Sequence, residues 1–363
     1  MREAEFADPI QTHPALAIPL DHHTPIGHHF TGNQRGRATM ASITEFGTTA
    51  AGLTVHKVTI AQGDLSAAIL TKGATLQSVR LKGVAHDLTL GSDNLADYEG
   101  KMRHHGSLVA PVVNRFTGAR APIGGKVFQF EANQSARHTL HFGSLGSQHK
   151  VWTIAEASDT AVTLSLTLPA GEGNMPGNRP VRATFAIVDG ALQMDVTATT
   201  DALTLFNVAN HSYWNMDGSD TWAGHSMRIA ADRYLPVTGD FCPTGEIAGV
   251  GGSIFDLRAM REIVPGVDTY DHNFCLSDAR QPLRDVLWLK GASGLMMTIA
   301  TTEAGVQVYD GRNGQRPGRG LYEGLAIEPQ MWPDAPNHPG FPGIELNVGE
   351  TYHHTTRWAF SRV

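Results

Sequence analysis

Residues 185–198 read FAIVDGALQMDVTA. Phe185-Ala186-Ile187-Val188 is an apolar run that Asp189-Gly190 interrupts, and after the interruption Leu192, Met194, Val196 and Ala198 recur at alternate positions. Period 2 is the spacing of side chains on one face of a β-strand. Asp-Gly is the pair that a tight hairpin turn favours, because its central residues take positive φ. The stretch therefore predicts an antiparallel hairpin with one buried face. Just upstream, Val162, Leu164, Leu166 and Leu168 alternate with Thr163, Ser165 and Thr167, which predicts another strand of the same kind.

Working outward, further strands are expected at Val55–Ile60, Leu65–Thr71, Leu203–Val208, Met227–Ala230, Leu295–Ala300 and Val306–Tyr309. Helices are few; Asp93–Glu99 predicts a turn or two, capped by Ser92 or Asp93. Short strands at regular spacing with turns between them imply an all-β fold, a sandwich or barrel-like sheet. Neither an internal repeat nor a composition break divides the chain after about residue 48, so residues 46–363 are expected to form one large domain.

Composition agrees. Charged residues make up 17% of the 363, and Gly and Pro are plentiful, which favours strands and turns over long solvated helices. The net charge of -7 is spread out with no Lys/Arg block, so neither nucleic acid nor an anionic membrane is expected as a partner. No apolar run is long enough to span a bilayer. Cys242 and Cys275 are too few for a disulfide framework and lack zinc-site spacing. Two buried thiols in a reducing cytosol, hence a cytoplasmic protein, is the expectation.

Residues 1–45 read as a flexible extension rich in Pro, Gly and His (His13, His22, His23, His28, His29). Leu16–Leu20 is too short and too Pro-broken for a signal-peptide core. The histidines read as polar filler rather than a metal site. Met40 stands just before the ordered-looking segment, which also reads as a place where a shorter chain would begin.

Five segments carry chemistry-bearing side chains. In Leu325–Pro342, LAIEPQMWPDAPNHPGFP, a short apolar run delivers Glu328 and then breaks into a stiff Pro-rich loop. An isolated buried carboxylate is costly, so its presence there marks Glu328 as a candidate base. Asn114-Arg115-Phe116 follows an apolar run, and Arg115 reads either as an ion-pair partner or as a forked donor to a ligand. His141, in Thr139–Gly143, is a lone strand histidine. Asn207–Asn215, NVANHSYWN, packs amides, an imidazole, a hydroxyl and two aromatics together, suited to a polar, stackable ligand such as a sugar or to a hydrogen-bonded corner. Asp271, before His272-Asn273-Phe274, reads as a turn cap or as an acceptor for ligand hydroxyls, with Gln307 close behind. No nucleophile elbow, HExxH or phosphate loop appears.

At this point the chain resembles the aldose 1-epimerase (galactose mutarotase) family. The resemblance rests on Val113-Asn114-Arg115-Phe116, Leu140-His141-Phe142-Gly143, Asn210–Asn215, Pro243–Glu246, Asp271–Phe274, Gly305-Val306-Gln307 and Glu328-Pro329-Gln330, in that order from about Thr48 to Arg362. It implies a large antiparallel β-sandwich with a sugar cleft, no cofactor and no metal, working as a monomer or homodimer on a small-molecule sugar. It further implies that Glu328 takes the proton from the anomeric hydroxyl, that His211 protonates the ring oxygen, and that Asn114, Arg115, His141, Asp271 and Gln307 bind the sugar. Near neutral pH an ionised carboxylate and an imidazolium are a natural base and acid for that chemistry, and the carboxylate favours the charged histidine.

Two departures from the family pattern, Ala110-Pro111 and Phe142, are expected to sit near the cleft. Trp332 and Asn337 are expected in its wall. Other readings are a sugar-phosphate epimerase using Arg312, Arg316 and Arg319, a glycosidase using Asp271 with Glu328, and a non-catalytic sugar-binding module with Trp214 or Trp332 as stacking platform.

Overall fold

A computed structural model describes residues 41–363. The five N-terminal histidines lie outside the described residues. The β domain begins slightly upstream of residue 46, since its first strand spans Ser42–Thr48.

The hairpin at 185–198 forms as its sequence predicts. Strands Arg179–Val188 and Ala191–Ala198 pair antiparallel, with Val188 opposite Ala191 and Phe185 opposite Met194. Asp189 and Gly190 both hold positive φ, 50° and 75°. This hairpin is central to a nine-stranded antiparallel sheet. Ala161–Leu168 adds to one side, and the C-terminal strand Tyr352–Arg362 adds to the other. That last strand also pairs with Leu295–Thr301, so the chain end closes the middle of the sheet.

A four-stranded sheet is built from Ser42–Thr48, Thr54–Gln62, Leu65–Leu70 and Thr75–Leu81. A six-stranded sheet orders Tyr213–Trp214, Leu325–Gln330, Gly305–Tyr309, Asp271–Cys275, Arg233–Tyr234 and Ala248–Gly249. One apolar core joins all three: Val58 and Ile60, Phe185 and Met194, and Phe274, Val306, Val308 and Ile327 belong to it. The molecule is an all-β sandwich, as the alternation predicts. Each Phe or Leu buried there contributes roughly 1.5–3 kcal/mol.

Two expectations change locally. The run Leu203–Val208 forms only the short strand Thr204–Leu205. The helix is Leu95–Glu99, capped by Asn94, whose side chain accepts from the Ala96 amide. Ser92 instead donates to Asp97, at 2.5 Å. Cys242 and Cys275 are free and buried. No helix among the described residues is long and apolar enough to cross a membrane.

Candidate active site

Strand Leu325–Gln330 is buried on both faces and decides the site. Its Ile327 points into the main core. One residue on, Glu328 therefore points to the opposite face. Gln307 stands directly opposite Glu328, and Asn273 directly opposite Gln307. Asp271 shares that face, two residues from Asn273. Three adjacent strands thus present carboxylates and amides on one side and Phe274, Val306, Val308 and Ile327 on the other.

Over this polar face lies a cavity of about 380 Å³. Asn114, Arg115, His141, His211, Asp271 and Glu328 all line it. Gln307 does not; it lies beneath, donating from Nε2 to Asp271 Oδ1 at 2.8 Å. Arg115 Nη2 donates to Asp271 Oδ2 at 3.0 Å, and its Nε to Gln134 at 2.9 Å. Both readings of Arg115 are therefore realised, since it is ion-paired and faces the cavity. Asp271 is no turn cap: it opens a strand, and its two oxygens are held by Arg115 and Gln307.

The corner at Asn210–Trp214 divides its labour. Asn210 donates to the Gly106 carbonyl at 2.7 Å and accepts from the Ser212 hydroxyl at 2.6 Å. These two residues build the corner. His211 between them is presented to the cavity, as is Tyr213. Trp214 turns into the core against Trp358, with ring centres 5.8 Å apart, so it is not a stacking platform. His141 is fixed by a local clamp: its Nδ1 accepts from the Asn114 amide at 3.2 Å, and its own amide donates to the Asn114 carbonyl at 2.8 Å. Its Nε2 therefore carries the proton. Asn114 and His141 hold positive φ, 65° and 52°, uncommon for such residues and typical of functional sites.

His211 Nε2 and Glu328 Oε1 are 3.5 Å apart, both buried. Neither His211 Nδ1 nor Glu328 Oε2 has a protein partner among the described residues. Burial holds the His211 imidazole down to about 4, with the Asp271 charge opposing. Burial also pushes the Glu328 carboxyl well above the usual carboxylate range; Asp271 adds to this and Arg115 opposes it. Burial thus works against the charged form of both groups. The attraction between an imidazolium and an ionised carboxylate, which the sequence reading expects, acts against that desolvation.

Three other expectations are corrected. Trp332 donates to the Ala304 carbonyl at 3.0 Å and packs on Phe341 in a second apolar core, away from the cavity. Asn337 ties to the Arg120 carbonyl and to Asp334, so the Pro-rich loop is not a cavity wall. Phe142, with φ of 58°, turns into that second core against Phe130, and Ala110 and Pro111 do not reach the cavity either. Of the three arginines only Arg312 lines the cavity, and it is locked bidentately on Asp310 at 2.9 and 2.6 Å. Arg316 is paired with Glu323, and Arg316 and Arg319 line a separate cleft.

Several lining residues escaped the sequence reading: Lys101, His104, His105, Phe241 and Tyr309. His105 stacks on Tyr213 with ring centres 4.2 Å apart. The doublet His104-His105 just before an apolar run was the available signal. No group of three or more side chains suited to hold a metal ion occurs among the described residues.

Known proteins agree with this architecture. Residues 56–359 match the family model described as aldose 1-epimerase. Over 327 residues the chain is 35% identical to galactose mutarotase of Mus musculus, covering 85% of this chain and 95% of that protein. Aldose 1-epimerase of Escherichia coli is 29% identical over 313 residues, covering 79% of this chain and 90% of that one. A solved aldose epimerase homologue from C. elegans superposes with a TM-score of 0.78 at 28% identity, covering 85% of this chain and 99% of that one. The chain belongs to the aldose 1-epimerase family and is an isomerase of that family.

Proposed function

We propose that the protein is a mutarotase of free aldoses such as glucose and galactose, with Glu328 and His211 as its base and acid. The observation that carries this is the buried Glu328–His211 pair, 3.5 Å apart in a cavity large enough for one sugar ring. The names of the relatives, galactose mutarotase and aldose 1-epimerase, support the same reading.

Ring opening moves one proton off the anomeric hydroxyl and puts one on the ring oxygen, two oxygens on the same carbon. Two adjacent groups that share a single proton suit this task. A proton moved from Glu328 to His211 produces the reactive ion pair without exchange with solvent. Glu328 then takes the proton of the hydroxyl, and His211 gives its own to the ring oxygen. The C1–O5 bond breaks and the C1 carbonyl forms. Both groups return to the neutral state that burial favours, so desolvation assists opening. Rotation about C1–C2 and the reverse transfers give the other anomer. Asn114, Arg115, His141 and Asp271 supply donors and acceptors for the remaining hydroxyls, while Gln307 steadies Asp271.

Polarimetry of freshly dissolved α-D-glucose and α-D-galactose tests the reading. Faster decay to the equilibrium rotation than in buffer is the expected result. A sugar-phosphate epimerase finds less support, because Arg312 is committed to Asp310 and Arg316 to Glu323.

A further inference from the structure

We infer that His104 and the cavity behind it recognise the C6 end of an aldohexose, and that this cavity accepts a hydroxyl-bearing substituent on O6. The inference rests on the mutarotase reading, because it uses the sugar orientation that reading requires. In a pyranose the ring oxygen joins C1 to C5, and C6 hangs from C5. With Glu328 at the C1 hydroxyl and His211 at the ring oxygen, the next group around the ring past His211 faces C5 and C6.

Three rings stand beside His211, namely His141 and Tyr213, each 5.2 Å away between ring centres, and His104; His141 is clamped on Asn114, and His104 is the one that also opens on a second cavity, so we assign it to C6. Its ring centre is 5.7 Å from His211 and 4.7 Å from His141. The residue is partly buried, and its Nδ1 atom is buried without a hydrogen-bond partner among the described residues. Burial, with the Arg103 charge adding to it, holds the imidazole well below its ordinary range, so the neutral ring offers one donor and one acceptor. A buried polar atom without a partner is costly, and a substrate hydroxyl is a natural partner for such a ring.

His104 also lines a second cavity of about 370 Å³, as large as the first. There Lys72 and Arg103 balance Glu99 and Glu131, and Asn133, held on the Leu140 backbone, and Ser144, held on Glu131, also line the space. Balanced charge with amide and hydroxyl groups matches a neutral polyol better than a phosphate. A glycosyl group on O6 would pass His104 and enter this space.

The test compares D-glucose, D-xylose (the same sugar without C6) and melibiose (glucose carrying galactose on O6). His104→Ala should lower kcat/KM for glucose about tenfold, equivalent to about 1.4 kcal/mol, and leave xylose within about twofold. His104→Gln, which keeps a donor and an acceptor, should recover most of the glucose rate and carries the comparison if the alanine variant does not fold. The parent protein should turn over melibiose. Equal losses on glucose and xylose, no loss on either, or no action on melibiose would overturn the inference. A parent protein that accelerates no aldose at all would instead strike down the mutarotase reading.

Discussion

His211 Nε2 and Glu328 Oε1 lie 3.5 Å apart, both buried, and burial opposes the charged form of each. Removing either group should abolish the exchange. Glu328→Gln and His211→Asn are each expected to lower kcat by a factor of about 10² to 10⁴. The double variant should be little worse than either single, because the two act as a unit. Mutarotation kinetics on the three variants check this; additive losses would mean independent roles.

The pH profile follows from the same pair. His211 gains a proton only below about pH 4, where Glu328 is also protonated and the base is gone. On the alkaline side the acid is lost when Glu328 ionises, above the ordinary carboxylate range. A plot of kcat/KM against pH should have its acid limb near pH 4 and its alkaline limb above the ordinary carboxylate range. An alkaline limb at the ordinary carboxylate value, about 4.3, would contradict the raised Glu328.

Stability should depend on acid for a related reason. Burial depresses His104, His141, His225 and His354, and takes His105 to about 3 and His272 to about 4. Below about pH 6.5 these groups bind protons in the unfolded chain but not in the folded one. Their contribution is therefore complete above that value and is lost as pH falls toward their folded values. Glu328 works in the opposite sense, its contribution fading as pH rises through its raised value. Thermal melts should show Tm lower at pH 5 than at pH 7 by roughly 5 °C or more. An unchanged Tm would mean the histidines are solvated.

Gln307 acts through Asp271. Gln307→Ala should lower kcat/KM by roughly tenfold, mostly through KM, since it frees one Asp271 oxygen while leaving Glu328 and His211 in place. Steady-state rates across substrate concentrations separate the two effects.

Phe142 belongs to a core and not to the cavity. Phe142→Ala should cost about 3–5 kcal/mol of stability and leave sugar preference unchanged. Denaturant unfolding beside a substrate panel tests both parts, and a changed preference would put the ring back at the cleft.

The fold was legible where one face is apolar. The 185–198 hairpin and the 162–168 alternation specify their own register, because a slip of one residue would expose a whole row of side chains. Leu203–Val208 looks similar in sequence, but only Thr204–Leu205 finds a partner strand, Glu345–Leu346, and pairing is not written in a single strand. Asn114, Arg115, His141, His211, Asp271 and Glu328 were legible as motifs that converge on one cavity. What sequence could not show depends on burial and direction. Phe142 and His141 are neighbours in the chain yet face different compartments, because both take positive φ at the end of a two-residue strand. Trp332 follows Glu328 closely, but the strand ends between them and the indole turns into the second core. The pressure that burial puts on charge in the Glu328–His211 pair is likewise a property of the assembled cavity.

The central claim is that this cavity interconverts the anomers of a free aldose. The most direct measurement is the rate at which freshly dissolved α-D-galactose and α-D-glucose reach anomeric equilibrium, followed by polarimetry or NMR, with the parent protein and with Glu328→Gln. The account predicts clear acceleration by the parent and a rate near that of buffer with the variant. No acceleration by the parent across several aldoses, or full activity in the variant, would contradict it.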